Sequence, residues 1–404
     1  MKRYDLIVIG AGPAGCMAAA DAAKRGMAVA LLEKQTLPRR KTCGGGIPMV
    51  MRDYLYDLAP EAFVEADVRF MRHTWRFGEP VMSAMNPPDS EGEYSLWMVQ
   101  RSLFDYALAQ RAAKAGAELR DGLPVRSIEI GTDGVTIQAG GDDHNSFTAI
   151  ADHVIGADGA NGITARAVGL RRERALAIAV EIELPHRWGC GHPDLRPDVL
   201  HLDYGTVRHG YSWVFPKGDH LNVGAGVFHK QKAGLKSENR VRDDLHKAVY
   251  GYLDALQVPY DRELLKFYAH PLPIWNGREQ VGTKDGRVLL VGDAAGLINP
   301  VFGDGIIHAV RSGLIASQAI AENAAMDYTH RIHAEFGDNF DSALKLANFF
   351  YQWTGFVYKY AVSREESTRT AVRLLCGEAL FTDVGERVMN RIRAAMSGAG
   401  GKKT

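Results

Sequence analysis

The stretch YDLIVIGAGPAGCMAAADAAKRGMAVALLEK, Tyr4 to Lys34, decides the fold. Leu6 to Ile9 is a short apolar run, GAGPAG is a glycine turn, Cys16 to Arg25 is an alanine-rich helical run, and Ala28 to Leu32 is a second apolar run ending at Glu33. Strand, turn, helix and strand make a βαβ unit. Gly10, Gly12 and Gly15 stand in it at G-x-G-x-x-G spacing, where each glycine has a separate task. The first permits the tight turn, the second lets a pyrophosphate reach the backbone, and the third lets helix and strand pack closely. The helix N-terminus, with Ala14 in its first turn, meets the phosphate charge. Glu33, 18 positions after Gly15, is placed to accept hydrogen bonds from ribose hydroxyls, and Lys34 beside it joins the cofactor-binding candidates. The unit predicts dinucleotide binding.

The same style returns twice. HVIGADGANG, His153 to Gly162, runs an apolar strand into the turn at Asp158 and Gly159. GRVLLVGDAAGLINPVFGDGIIHAVRSG, Gly286 to Gly313, runs another into Gly292 and Asp293 and then into a helix opening near Gly303, Gly305 and Ile306. Residues 98–115 carry helical spacing with Arg101 at the start, and strand-like runs follow at Val125 to Ile130 and Val135 to Gln138. Between residues 175 and 284 the character changes to alternating runs at Ala177 to Glu183, Val199 to Tyr204, Gly210 to Phe215 and Leu221 to Val227, with a helical insert at Ser237 to Leu256. The expected class is α/β, α+β overall. A discontinuous Rossmann-type binding domain takes 1–70, 98–174 and 285–330, and a mostly antiparallel substrate domain takes 71–97 and 175–284. Residues 331–404 are helical and finish in a flexible tail, SGAGGKKT.

Composition narrows the chemistry. The 48 basic and 48 acidic residues cancel, so no strongly positive face is available for nucleic acid. Cys16, Cys43, Cys190 and Cys376 are scattered without a CxxC pair, which points to reduced thiols in a cytoplasmic setting. The start MKRYDLIVIGAG leaves no room for a secretory leader, and no apolar run reaches about 18 residues. No group of His, Cys and acidic residues has metal-ligand spacing, so no metal is expected.

Two aromatic patterns remain. In GYSWVFPKG, Gly210 to Gly218, the alternation of a strand puts Tyr211, Trp213 and Phe215 on one face, ending at Pro216. Such a wall faces either the protein's own core or a bound molecule. His201 and Asp203, in the preceding HLDYG, are candidates for orienting a polar head group. From Leu346 to Tyr360 the apolar residues fall on one helical stripe, which packs on the body of the protein, closes an apolar channel or touches a membrane surface.

The glycine triplet, the central Asp158-Gly159 and the late Gly292-Asp293 together resemble the signatures of FAD-dependent oxidoreductases. KTCGGGIP, Lys41 to Pro48, and YSWVFP, Tyr211 to Pro216, resemble the paired motifs of geranylgeranyl reductases, flavoenzymes that saturate isoprenoid double bonds. The resemblance covers about the first 330 residues. It implies FAD held by Gly10, Gly12, Ala14, Gly15, Glu33, Lys34, Cys43, Gly44, Arg101, Val125, Asp158, Gly159, Gly292, Asp293, Gly303, Gly305 and Ile306. The chemistry of such a reduction makes Cys43, Tyr211 and Trp213 the catalytic candidates, and Gly45, Phe215, Pro216 and His201, beside them in sequence, the substrate-binding ones. A long isoprenoid follows as substrate. NADPH or a reduced ferredoxin-type protein is the expected electron source, and peripheral membrane contact through 346–360 is expected. The alternatives are a flavin monooxygenase or halogenase-like enzyme and a flavoprotein acting on a partner polypeptide.

Overall fold

A computed structural model describes residues 1–88, 90, 94–141, 146–228 and 238–385. The tail SGAGGKKT lies outside the described residues, as does Ser237 at the expected start of the helical insert.

The opening unit forms as its sequence dictates. Strand Lys2–Ile9 pairs in parallel with Val29–Leu32 on one side and Ser146–Gly156 on the other. Both faces of the strand are covered, Leu6 and Val8 by the helices and Ile7 and Ile9 by the opposite layer, which is why the run is continuously apolar rather than alternating. Glu118–Arg120 extends the sheet in parallel beyond Val29–Leu32. Strand Ser146–Gly156 is shared. Its first half pairs antiparallel with Val135–Gly140, which continues to Val125–Ile130, and its last three residues pair in parallel with Val288–Leu290. Residues distant in sequence therefore end side by side at the edge where the glycine turns lie.

Glycine here is a matter of clearance. Gly10 has φ +107°, and a Cβ there would stand 2.3 Å from the Ala157 carbonyl oxygen; a Cβ on Gly15 would stand 1.9 Å from that of Gly10. The helices Pro13–Lys24 and Ile306–Ala321 approach as closely, for a Cβ on Gly313 would stand 2.3 Å from the Ala14 carbonyl oxygen. Gly12 differs, with only the end of Arg39 at 4.0 Å.

The second sheet has seven strands in the order Tyr268–Ile274, Ala175–Pro185, His220–Val227, Gly210–Pro216, Val199–Tyr204, Phe70–Trp75 and Val81–Ala84, all antiparallel neighbours except Val199–Tyr204 with Phe70–Trp75. One face packs on the helix Glu238–Ala255 through Val214, Leu221 and Val223 against Leu245, Val249 and Tyr252. A three-stranded sheet of Val64–Val68, Leu96–Val99 and Gly46–Pro48 bridges the two. The helical spacing read over 98–115 therefore begins later: Met98 and Val99 are strand, and the helix runs Arg101–Lys114.

The stripe from Leu346 to Tyr360 is not one helix. Helix Asp338–Gln352 stops at Trp353, a short helix Thr354–Val357 follows, and Tyr358–Val362 is a wider π turn. The break divides the stripe: Leu346 and Val357 are buried, while Trp353 and Tyr360 are exposed.

Two predictions follow from packing and burial. Gly15→Ala is expected to cost about 3 kcal/mol by overpacking in urea unfolding, whereas Gly12→Ala leaves the midpoint unmoved. Burial pushes His73 down to about 4 and His201 down to about 3 from 6.5. On acidification through 6.5 the unfolded chain binds protons that the folded chain refuses, so stability falls down to pH about 4 and then less steeply. His201→Leu is expected to make that acid limb shallower by up to about 1.4 kcal/mol per pH unit, measured as urea midpoint against pH.

Candidate functional site

A cavity of about 750 Å³ runs from the glycine turns of the first sheet to the aromatic face of the second. At its polar end Gly10, Gly12, Ala14, Glu33, Lys34, Val125, Asp158 and Gly159 line the wall. Gly15 is displaced from it, consistent with its packing against Gly10. Glu33 is 4% exposed; its Oε2 accepts the Ala11 N–H at 3.0 Å and its Oε1 accepts that of Gln35 at 3.2 Å.

Glu33 also opens a chain of buried charges. Arg39 Nε lies 3.2 Å from Glu33 Oε2, and Arg39 Nη1 lies 3.0 Å from Asp105 Oδ2. Asp105 is gripped by both Nε and Nη2 of Arg101 at 2.9 Å. Burial opposes the charge of Arg101, but Asp105 and then the Cys43 sulfur outweigh it and its pKa is raised. Arg101 is thus a buried cation beside Cys43. Arg39 and Asp105 escaped sequence reading. Asp105 stands four residues after Arg101 on a helix, the spacing of an ion pair, and was the signal available; Arg39 lies in an irregular loop and offered none.

Two helix N-termini open into the cavity. Pro13–Lys24 and Ile306–Ala321 begin after Gly12 and Gly305, neither with a side-chain cap nor an acidic residue in the first turn. Their N–H groups therefore remain available to an anion or to the electron-rich edge of a ring system. Gly292, Asp293, Gly303, Gly305 and Ile306 all line this part. Asp158 uses Oδ2 to accept from Thr164 N and Oγ1, both at 2.8 Å, while its Oδ1 is buried without a partner among the described residues. Uncapped helix ends, a bare backbone at Gly12 and an orphaned carboxylate oxygen fit FAD. His270, pushed down to about 3 by burial and by Lys41, is neutral and accepts from Lys41 Nζ at 2.6 Å.

The other end is apolar. The rings of Tyr211 and Trp213 are 6.0 Å apart, as are those of Trp213 and Phe215, and all three line the cavity. Tyr211 donates its hydroxyl to the Phe302 carbonyl at 2.6 Å and stacks on Phe228, centroids 4.8 Å apart. Trp213 donates Nε1–H to Asn222 Oδ1 at 2.9 Å, and its indole lies across Gly224, where a Cβ would be 2.2 Å away. Facing the wall is the loop Cys43–Gly46. A Cβ on Gly44 would stand 2.7 Å from the Phe215 ring, and the Cys43 N–H is held by Glu181 Oε1 at 2.9 Å. Behind Gly45 sits Lys217, donating to the Val99 carbonyl at 2.9 Å. Burial pushes Lys217 down to about 8, against the pull of Glu65 and Cys43. Lys217 was another residue unread in the sequence, because it lies just after the strand that drew attention.

His201 and Pro216 require correction. Strand register pairs His201 with Val214, and Leu202 with Trp213. Leu200, Leu202 and Tyr204 therefore share the cavity face with the aromatic wall, and His201 and Asp203 turn the other way. His201 is fully buried. Asp203 accepts from Thr74, Phe77 and Thr206 at 2.8, 2.7 and 2.6 Å, so it braces the strands. Pro216 likewise falls on the face away from Phe215 and is buried outside the cavity lining.

The C-terminal helices cover the apolar end. Phe350, Tyr351, Val362, Thr368, Ala371 and Leu375 line it, and Thr368 Oγ1 meets His73 Nε2 across it at 2.9 Å. Among the described residues one group of possible metal ligands, Glu65, Asp219 and His220, comes together from positions distant in sequence; Asp219 is almost wholly exposed and the other two are half-buried.

An FAD binding domain family matches residues 3–184. Geranylgeranyl diphosphate reductase of Synechocystis sp. is 32% identical over 323 residues, 78% of this chain and 74% of the relative. Digeranylgeranylglycerophospholipid reductase of Methanocaldococcus jannaschii is 31% identical over 333 residues, 79% and 77%. The crystal structure of a geranylgeranyl bacteriochlorophyll reductase-like protein from Thermoplasma acidophilum superposes with TM-score 0.76 at 23% identity, covering 97% and 96% of the chains. With an FAD-shaped polar end, an aromatic wall opposed by a cysteine-glycine loop, and relatives matched over most of their length, this chain belongs to the geranylgeranyl reductase family of FAD-dependent oxidoreductases.

Proposed function

We propose that this enzyme saturates carbon–carbon double bonds of a geranylgeranyl chain carried by a lipid, chlorophyll-type or quinone molecule. One observation carries the reading: the cavity lined by the glycine turns at one end continues, past Cys43, into an aromatic and aliphatic channel. A linear hydrocarbon is the ligand that such a channel favours, since burying apolar surface is the main gain it offers.

Reducing an unactivated alkene requires a hydride at one carbon and a proton at the other. FAD bound in reduced form supplies the hydride. The chain's residues do the rest. Trp213 and Tyr211, their polar atoms already satisfied by Asn222 and the Phe302 carbonyl, present ring faces that stabilise positive charge developing on the tertiary carbon, worth about 1–2 kcal/mol in a dry site. Cys43 is the residue on the proton side. Its backbone is pinned by Glu181, Arg101 sets a fixed cation beside it, and Lys217 sits behind the neighbouring Gly45. Phe215 and Gly45 shape the passage between.

The electron source is NADPH or a reduced ferredoxin-type protein. Peripheral attachment to a lipid surface suits such a substrate. It is supported by Trp353 and Tyr360, 48% and 39% exposed beside Lys359. Among the described residues no helix is long and apolar enough to cross a membrane.

In single-turnover experiments with pre-reduced flavin, Cys43→Ala is expected to slow reduction of a geranylgeranyl lipid by roughly 100-fold while flavin content stays normal; a normal rate removes Cys43 from the chemistry. Ala371→Trp is expected to block the channel, lowering turnover of geranylgeranyl substrates far more than of geranyl ones, followed by mass spectrometry of added hydrogen pairs. Equal loss for both lengths would place the hydrocarbon elsewhere.

A further inference from the structure

A second cleft, of about 680 Å³, shares the loop Ala160–Gly162 with the main cavity and is otherwise walled by Arg166, Arg171, Arg172 and Arg174 together with Gly169 and Leu170. The described residues lining it include no carboxylate. Arg171 is unusual in three respects. It is a non-glycine residue at φ +50°, its side chain is 1% exposed, and its Nε and Nη2 are buried with no partner among the described residues. Only Nη1 is engaged, at 3.2 Å from both Asn276 Oδ1 and Glu279 Oε1. The turn above is bare to admit it, since a Cβ on Gly296 would stand 2.0 Å from Nη2. Arg174 is braced as well, donating Nη1–H to the Ala160 carbonyl at 2.6 Å and Nε–H to that of Arg171 at 3.2 Å. Arg166 and Arg172 project from the rim, both exposed, and with Arg174 have no ion-pair partner among the described residues.

A buried guanidinium with unused donors is costly, and the charge of Arg174 nearby adds repulsion. Burial first and Arg174 next lower the pKa of Arg171, with Glu279 alone opposing. Guanidinium forks match the oxygens of a phosphate, two N–H donors to two oxygens, and Gly169 puts no side chain into the cleft.

We propose that this cleft binds the phosphoryl group of a phosphorylated small molecule whose other end reaches the main cavity across the Ala160–Gly162 loop. The phosphate site stands on the arginines alone; naming its sources rests on the reductase reading. They are the phosphate of a nicotinamide dinucleotide that brings electrons, or the diphosphate end of a prenyl substrate.

The test uses the full-length, flavin-loaded protein and isothermal titration calorimetry with three probes: inorganic pyrophosphate, 2′-phospho-ADP-ribose and ADP-ribose. The wild type is expected to bind pyrophosphate or 2′-phospho-ADP-ribose, and the Arg166→Ser/Arg172→Ser double variant at least tenfold more weakly, with flavin spectrum and urea midpoint unchanged. The exposed single variant Arg172→Glu serves if the double variant folds poorly. Preference for 2′-phospho-ADP-ribose over ADP-ribose assigns the site to the cofactor, and preference for pyrophosphate to the substrate. No binding of either phosphate probe to the wild type, or equal binding by the variants, overturns the proposal. Reduction of geranylgeraniol, which has no phosphate, by dithionite-reduced protein reports on the alkene chemistry separately, so one reading can fail while the other stands.

Discussion

The Arg39 guanidinium lies between two buried carboxylates, Glu33 and Asp105, and most of the site depends on that position. It is carried by the irregular segment between the second strand and Gly46, which has little regular hydrogen bonding of its own. Its ion pairs pin that segment to the end of a strand on one side and to a helix on the other. Asp105 in turn holds Arg101, so one alternating row of charges sets Glu33, the loop, and the cation beside Cys43. Removing a single member would leave a neighbour buried and unpaired, which costs far more than an exposed pair contributes. The row thus fixes geometry even where its net contribution to stability is small.

The aromatic wall depends on a different constraint. Each ring with a polar atom has that atom directed elsewhere: the Tyr211 hydroxyl to a backbone carbonyl, the Trp213 N–H to Asn222. What remains facing the cavity is π surface. Gly224 on the neighbouring strand leaves room for the indole to lie flat, and Gly44 does the same for Phe215 from the opposite side. Glycines here therefore act in pairs with aromatic rings as well as at backbone turns.

The parts of this structure legible in the sequence were those with short-range causes. Gly10, Gly12 and Gly15 reveal a turn whose clearances are set by residues nearby, and alternation at 211, 213 and 215 reveals a shared face. Misreading began where a neighbouring strand mattered. His201 and Pro216 were assigned by proximity in sequence, yet cross-strand register sends them to the opposite face. Lys217 and Arg39 owe their environments to partners more than 60 positions away, Val99 and Asp105, and no local pattern marks them. The stripe at 346–360 has helical periodicity, but the break at Trp353 depends on what the chain packs against.

The cover of the apolar channel comes late in the chain. The three rings of the wall are all present once Pro216 has been added, whereas Phe350, Tyr351 and the Thr368 that meets His73 follow about 130 residues later or more. At ordinary ribosomal speeds that interval is roughly 7 to 26 s. During it the aromatic face has no roof and is open to water and to other nascent chains. A protein that covers a greasy passage with helices late in its sequence therefore passes through a stage in biosynthesis when the future binding surface is exposed.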